Sequence, residues 1–386
     1  MAKDNIRAIV GETFLELAEA LNSGRMGARP KLAITGMGSE HGEQNAMEAA
    51  VLAAKQGVDV TYIGTLEHEG ITTIPVKDDE EGHKVMETLL DEKKVAGAVT
   101  MHYPFPIGVS TVGRAVTPAM GKEMFLATTT GTSSLDRIEG MTRNAIYGII
   151  TAKACGVSEP TVGILNIDGA RQVELILKQL SDNGYPIRFA QSGRADGGCI
   201  MRGNDILTGA ADVMVMDSLT GNAIIKMLSA FHTGGSYEAV GYGYGPGIGE
   251  NYDRLVLIVS RASGARVLAG ALTFGAELVK NDYLAIAQKE FVAANKAGLK
   301  KLLSDSAAAR KAPSAKGESV TAPAKEVVTA AIAGIEVMDL EDAVQLLWKA
   351  GVYAESGMGC TGPIVLVAER NLDNAKTCLK KGGYIG

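Results

Sequence analysis

Residues 31–64, KLAITGMGSEHGEQNAMEAAVLAAKQGVDVTYIG, decide the fold. Lys31–Thr35 is a short apolar run that ends in a glycine turn, Gly36-Met37-Gly38-Ser39-Glu40-His41-Gly42. Residues 43–56 read as a helix, and residues 58–64 as a second apolar run. Two strands joined through a helix make a βαβ unit, because parallel neighbours need a crossover and a helix supplies it.

The same rhythm extends in both directions. An amphipathic helix is expected over 5–21, ending near Gly24. Downstream, strands are expected at 95–102, 161–167, 187–191, 213–216 and 254–260, with helices at 143–155, 172–183, 223–231 and 265–279. The strand segments are unbroken apolar runs, such as VGIL at 162–165 and LVLIV at 255–259, which suits strands buried on both faces. The fold class is therefore α/β, three-layer α/β/α, with a mostly parallel open sheet. Ligands of such sheets sit outside the carboxyl ends of the strands, so the loops there matter most.

Composition agrees. The 386 residues are 46% hydrophobic but only 5% aromatic, so Leu, Ile, Val, Ala and Met must fill the interior. This length suits two domains, or one with a lobe attached. Residues 304–326, SDSAAARKAPSAKGESVTAPAKE, have no apolar period and read as a surface linker. The expected organisation is a core over 1–302, a linker over 303–326 and a short C-terminal module over 327–386. In that module Asp339 can cap a helix to Lys349, residues 363–368 form a strand, and Asn371 can cap a last helix.

A net charge of −6 gives no electrostatic footprint for nucleic acid or an anionic membrane. No apolar run is long enough to span a bilayer, and the first residues lack signal-peptide architecture, so a cytoplasmic protein is expected. Cys155, Cys199, Cys360 and Cys378 form no CxxC pair, and His41, His68, His83, His102 and His232 show no ligand spacing. No metal or cofactor is expected. In GMGSEHG the third glycine is displaced from GxGxxG and no GK[ST] follows, which speaks against a dinucleotide or ATP site.

Three loops carry candidate chemistry. In Gly357-Met358-Gly359-Cys360-Thr361-Gly362-Pro363 a cysteine sits among glycines ahead of a strand. Backbone N–H groups there can lower a thiol pKa or stabilise an oxyanion; the other reading is a flexible turn with an incidental thiol. Cys199, in a second glycine-rich loop, is the next candidate, whereas Cys155 and Cys378 fall in helical patterns and read as packed. Asp217-Ser218-Leu219-Thr220-Gly221-Asn222 follows a strand and opens a helix, so the amides of 220–222 can receive an anion, with Lys226 four residues beyond Asn222. Its plain alternative is a capped helix with a solvated lysine. Ser260-Arg261 follows LVLIV, where an arginine can fork onto phosphate. The glycine-aromatic stretch Gly241–Gly249 reads either as a cover over a substrate or as a mobile surface loop. His41, His102 and Arg114 read as structural residues near the cleft.

From about Lys31 to Lys280 the chain resembles the phosphate acyltransferases of fatty acid and phospholipid synthesis. The likeness is carried by KLAITGMGSEHG, PTVGILNIDGARQ, ADVMVMDSLTGNAIIK and LVLIVSRASGA. The third is the specific one and carries Asp217, Thr220, Gly221, Asn222 and Lys226. Two departures stand out: Asp168-Gly169-Ala170-Arg171 replaces that family's acidic element, and Arg261 replaces its histidine. Ser260-Arg261 instead resembles phosphotransacetylases, which favours acyl–phosphate exchange over binding of a long acyl chain.

Over essentially its whole length, including ESGMGCTGPIVLVAERNLDNAK, the chain resembles the component C alpha subunits of glycine/sarcosine/betaine reductases. That resemblance implies an acetyl thioester on a C-terminal cysteine, a place Cys360 fits, with Gly359 beside it. It also implies acetyl phosphate as product, formed from phosphate held by Lys226 and Arg261 with Asp217, Thr220, Gly221, Asn222 and Ser260 around it. The implied partners are a thiolase-like beta subunit and a selenoprotein component A carrying a carboxymethyl-selenocysteine, in an oligomeric assembly. Two alternatives stay open: a phosphate acyltransferase for longer acyl thioesters without a covalent cysteine, and a scaffold for the beta subunit.

Overall fold

The computed structural model describes residues 29–385 apart from 195–196, 312–319, 336–338 and 360–361, together with Gly11, Thr13, Phe14 and Ala18. The opening helix expected over 5–21 lies largely outside the described residues.

The first βαβ unit is β1 (Lys31–Thr35), α1 (Glu43–Lys55) and β2 (Asp59–Ile63). It leads through β3 (Thr72–Ile74) and α2 (Asp79–Asp91) to β4 (Gly97–Thr100). A long hairpin follows, β5 (Val109–Val116) and β6 (Glu123–Thr132), and then α3 (Arg137–Ala154). Next come β7 (Thr161–Leu165), α4 (Ala170–Asp182), β8 (Arg188–Phe189), β9 (Ile200–Met201), α5 (Gly203–Thr208), β10 (Val213–Val215) and α6 (Ser218–Ala230). β11 (Gly245–Ile248) and β12 (Val256–Ile258) precede α7 (Ala265–Lys280), α8 (Tyr283–Lys296) and α9 (Leu299–Lys311). The C-terminal part contains β13 (Ala330–Ala333), α10 (Leu340–Lys349), β14 (Ala354–Gly359), β15 (Gly362–Val367) and α11 (Leu372–Lys381).

The large sheet has the order β3-β2-β1-β4-β12-β11-β5-β6-β10-β7-β8, with β9 also on β7. Both flanks are parallel, as the apolar runs require. The centre is not: β12–β11, β11–β5 and β5–β6 all pair antiparallel. Three reversals turn the second flank around, so β1, β4 and β12 end at the sheet edge opposite to the one where β6, β10 and β7 end. The protein is a mostly parallel, mixed three-layer α/β structure. Alternate strand residues face opposite layers: Leu32 and Ile34 join a core with α1, α3, α4, α7 and α8, and Ala33 joins one with α2, α5 and α6.

Four expectations are corrected. The glycine-aromatic stretch Gly241–Gly249 is not a surface loop, because it contains β11, buried along its whole length between β12 and β5. Glycine is needed there for close approach: a Cβ on Gly245 would lie 1.8 Å from the Val112 carbonyl oxygen. The start of the expected linker is helical, since α9 continues to Lys311. Asp339 does not cap α10 with its side chain; its carboxylate accepts from the Gln172 amide at 3.4 Å. Asn371 likewise donates to Glu326 at 3.3 Å rather than capping α11.

The C-terminal elements form their own antiparallel sheet, β13-β15-β14, with a core of Ile332, Val344, Leu347, Val365 and Leu379 among others. They meet the larger body at α4. A Cβ on Gly334 would lie 2.9 Å from the Arg171 guanidinium, next to the Gln172–Asp339 hydrogen bond.

Candidate functional site

The motif at 217–226 spans α6, and the helix separates its parts. Asp217 is the N-cap: its carboxylate accepts the Thr220 amide at 2.9 Å and the Thr220 hydroxyl at 3.0 Å. Arg137 adds an ion pair at 2.6 Å. Burial pushes the Asp217 carboxyl up, but the Thr220 amide and hydroxyl and the Arg137 guanidinium outweigh it and hold the pKa below the ordinary value. The Gly221 amide donates to the Asp217 carbonyl at 3.0 Å. Of the amides of 220–222 expected to receive an anion, those of Thr220 and Gly221 have these partners inside the chain.

Gly221 and Asn222 dock α6 onto β6. A Cβ on Gly221 would lie 1.7 Å from the Thr128 carbonyl oxygen, so only glycine permits this approach. The Asn222 amide donates to the Thr129 carbonyl at 3.0 Å. The Thr129 hydroxyl in turn donates to the Tyr244 carbonyl at 2.6 Å. One turn beyond Asn222, Lys226 places its ammonium 5.8 Å from the centre of the Tyr244 ring. The four-residue spacing thus puts both side chains on one face, where Asn222 anchors the helix to β6 and Lys226 brings its charge to Tyr244. Asp217 and Thr220 stay at the other end of the helix, roughly 9 Å or more along the axis from Lys226 at 1.5 Å per residue.

Around Lys226 the chain gathers what the strand-end loops supply. The Tyr244 hydroxyl donates to Glu238 at 3.4 Å, and the Ser263 hydroxyl donates to the other Glu238 oxygen at 3.1 Å. Glu238 also grips the loop after β12 by its backbone, its N–H donating to Ala262 at 3.0 Å and its carbonyl accepting from Gly264 at 2.8 Å. Ser260 is buried, and its hydroxyl accepts the Ala262 amide at 3.2 Å. Arg261 is exposed, and its carbonyl accepts from Glu40 at 2.9 Å. His41 and Asn45 bond the carbonyls of Ala262 and Ser263 at 3.2 and 3.0 Å, so the glycine turn after β1 is knitted to the loop that carries Arg261.

A cleft of about 530 Å³ opens here, with Lys226, Glu238 and Ala262 among its lining and Met227, Phe231 and Tyr237 as apolar walls. The Tyr244 hydroxyl, and then the Glu238 and Glu40 carboxylates, hold the Lys226 pKa above the ordinary lysine value against a smaller effect of burial. Burial raises the Tyr244 pKa, with the Glu238 charge adding to it. The cleft therefore presents the Lys226 ammonium, with Ala262, the neighbour of the exposed Arg261, in its lining and the Tyr244 ring buried behind it, and such a cation suits an oxyanion. Tyr244 escaped the sequence reading because it lies in a stretch that resembles a loop, where the GYGYGPG glycines that permit a buried strand were the available signal; Glu238, just before that stretch, had none.

Cys360 and Thr361 lie outside the described residues. Gly359 ends β14 opposite Gly362 of β15. Cys199 is buried with its thiol 3.3 Å from Glu174. Burial and that carboxylate push its pKa up to about 12, which removes it as a candidate nucleophile. Burial, with Glu277, likewise pushes Cys155 up to about 12. Cys378 packs against the C-terminal core from α11. Arg114 is structural, paired with Glu123 and Glu277 and stacked on Tyr242. Among the described residues no cluster of His, Cys, Asp and Glu could hold a metal ion, and no helix is long and apolar enough to cross a membrane.

Residues 30–366 match the family described as Fatty acid synthesis protein. The chain is 56% identical over 383 residues, 99% of both chains, to the Glycine/sarcosine/betaine reductase complex component C subunit alpha of Peptoclostridium acidaminophilum. It is 25% identical over 238 residues to the Phosphate acyltransferase of Lysinibacillus sphaericus (strain C3-41), covering 51% of this chain and 70% of that one. Among solved structures, a branched-chain phosphotransacylase from Enterococcus faecalis V583 matches with a TM-score of 0.45 at 16% identity, covering 65% of this chain and 99% of that one. The chain belongs to the Fatty acid synthesis protein family and, within it, to the glycine/sarcosine/betaine reductase component C alpha subunits.

Proposed function

We propose that the chain makes acetyl phosphate from an acetyl thioester and inorganic phosphate. The observation that carries this is the Lys226 ammonium beside Tyr244, lining a cleft together with Ala262, which follows Ser260 and Arg261 in the chain. In the first half-reaction the Cys360 thiolate accepts the acetyl group, because a thiolate is nucleophilic near neutrality and covalent capture divides a hard step into two easier ones. In the second, a phosphate oxygen attacks the thioester carbonyl. The C–O bond forms, the C–S bond breaks, and the phosphate proton passes to the departing thiolate, giving acetyl phosphate and free thiol. Lys226 and Arg261 hold the phosphate and neutralise the tetrahedral oxyanion, so orientation and electrostatics supply most of the rate. Asn222, Thr129 and Ser260 fix the frame, while Asp217 and Thr220 cap the helix that presents Lys226.

The partners proposed are a selenoprotein component A carrying a carboxymethyl-selenocysteine and a thiolase-like beta subunit, in a cytoplasmic oligomeric complex, and the acetyl group reaches this chain already formed as a thioester. The name of the 56% identical relative, a component C alpha subunit of a reductase complex, supports this placement. Residues 327–386 serve as the module that carries Cys360; it meets the larger body at the start of α4, where β7 ends, so the thioester must cross to the opposite sheet edge to reach Lys226 and Arg261.

A second reading, transfer of a longer acyl group without a covalent cysteine, is favoured by one observation: the cleft of about 530 Å³ with Met227 and Phe231 in its wall exceeds the needs of an acetyl group. Trapping the product with hydroxylamine distinguishes the two. Acetyl thioester plus phosphate should yield acetohydroxamate in a Lys226- and Cys360-dependent manner. Faster turnover of long-chain thioesters that survives Cys360→Ala would favour the second reading.

A further inference from the structure

Glu238 is a buried carboxylate in a place where an anion site would ordinarily exclude one. It is 4% exposed and lines the cleft together with Lys226. Its side chain is bonded by two hydroxyls, Tyr244 at 3.4 Å and Ser263 at 3.1 Å, one on each oxygen. Each carboxylate oxygen has capacity for a further hydrogen bond. Beside a bound dianion this charge is repulsive. The repulsion is offset only if the anion brings a proton that the carboxylate can accept. Hydrogen phosphate carries a P–OH; sulfate has the same shape and charge near neutrality but no proton to give.

We infer that Glu238 is the specificity-determining residue that selects hydrogen phosphate over fully ionised tetrahedral anions, by accepting a hydrogen bond from the P–OH of phosphate held at Lys226. This rests on the reading that phosphate binds beside Lys226. Tyr244 and Ser263 keep the carboxylate turned to one orientation, and Lys226 lines the same cleft. No proton is transferred in the selection itself, so the discrimination belongs to binding and precedes acyl transfer.

The test is calorimetric titration of the full chain with inorganic phosphate and, separately, with sulfate near neutral pH. Phosphate is expected to bind at least about ten-fold more tightly than sulfate, the size of effect a hydrogen bond to a charged acceptor gives. Glu238→Gln keeps the shape but turns part of the acceptor into a donor, and should bring the two affinities within about three-fold of each other, chiefly by strengthening sulfate. Glu238→Asp, which withdraws the carboxylate, should also lower the ratio and serves if the glutamine variant does not fold. Equal affinities in the wild type, or an unchanged ratio in a folded variant, would overturn the selection while leaving a phosphate site in place. A wild-type chain that binds neither anion would remove the phosphate site and this inference together.

Discussion

The Lys226 ammonium lies 5.8 Å from the centre of the Tyr244 ring, and this contact ties α6 to the entrance of β11. One residue is exposed on a helix; the other immediately precedes β11, its N–H donating to the Ile258 carbonyl at 2.8 Å. Because the Tyr244 hydroxyl heads the causes that raise the Lys226 pKa, the lysine keeps its proton past the ordinary lysine range. Its charge is therefore fully present through neutral pH and is lost only as pH rises through the raised value. Phosphate binding should not weaken between neutrality and mildly alkaline pH through Lys226. Tyr244→Phe should move that alkaline limb to lower pH, which phosphate titrations across pH would register.

Replacing Lys226 with methionine keeps the stem over the ring and removes the charge. The ratio kcat/KM for phosphate should fall by about two orders of magnitude, as for loss of one oxyanion donor. Arg261→Ala should act in the same direction, and acetohydroxamate formation with varied phosphate measures both.

Asp217→Ala should act on stability instead. Losing the cap costs about 1 kcal/mol in denaturant unfolding, with the KM for phosphate nearly unchanged. The Asp217 pKa is lowered in the folded state. Its stabilisation is therefore present above the unfolded carboxyl value and is lost as pH falls through the lower folded one, a loss confined to acid. A Asp217→Ala variant whose only defect was phosphate binding would speak against the capping role.

Gly221→Ala forces a Cβ against the Thr128 carbonyl, at 1.7 Å without movement. The helix must retreat from β6 and draw Asn222 and Lys226 with it. A destabilisation of about 2–3 kcal/mol is expected, together with a raised KM for phosphate.

Cys155 and Cys199, both pushed up to about 12, should resist alkylation of the native chain at neutral pH. Peptide mapping after iodoacetamide should find them unlabelled until denaturant is added. Rapid native labelling of Cys199 would contradict its burial against Glu174.

The parallel flanks were legible because burial on both faces leaves unbroken apolar runs such as 255–259, and β7, β10 and β12 fall where those runs are. The centre of the sheet was not. β6 opens with a buried apolar run, Met124–Ala127, too short to stand out beside the polar residues that follow it, and continues through Thr128 and Thr129, buried through hydrogen bonds to Thr111 and Tyr244. β11 is Gly-Pro-Gly-Ile, a composition that usually marks a turn and here allows backbones to crowd. Lys226 and Ser260, both singled out from their place after strands, each approach the Tyr244 hydroxyl. The reach of α6 was the missing element, since a motif contiguous in sequence spreads along a helix and leaves Asp217 at its far end. Glu238 carries no local signal, because its role arises from Tyr244 and Ser263, which only folding brings to it.

The most direct test is intact-mass spectrometry of the chain mixed with acetyl phosphate in phosphate-free buffer, with Cys360→Ala in parallel. One acetyl adduct on the wild type, absent from the variant and discharged by added phosphate, is the expected result. Failure of any adduct to form, even with the beta subunit present, would contradict the thioester route and leave direct acyl transfer in its place.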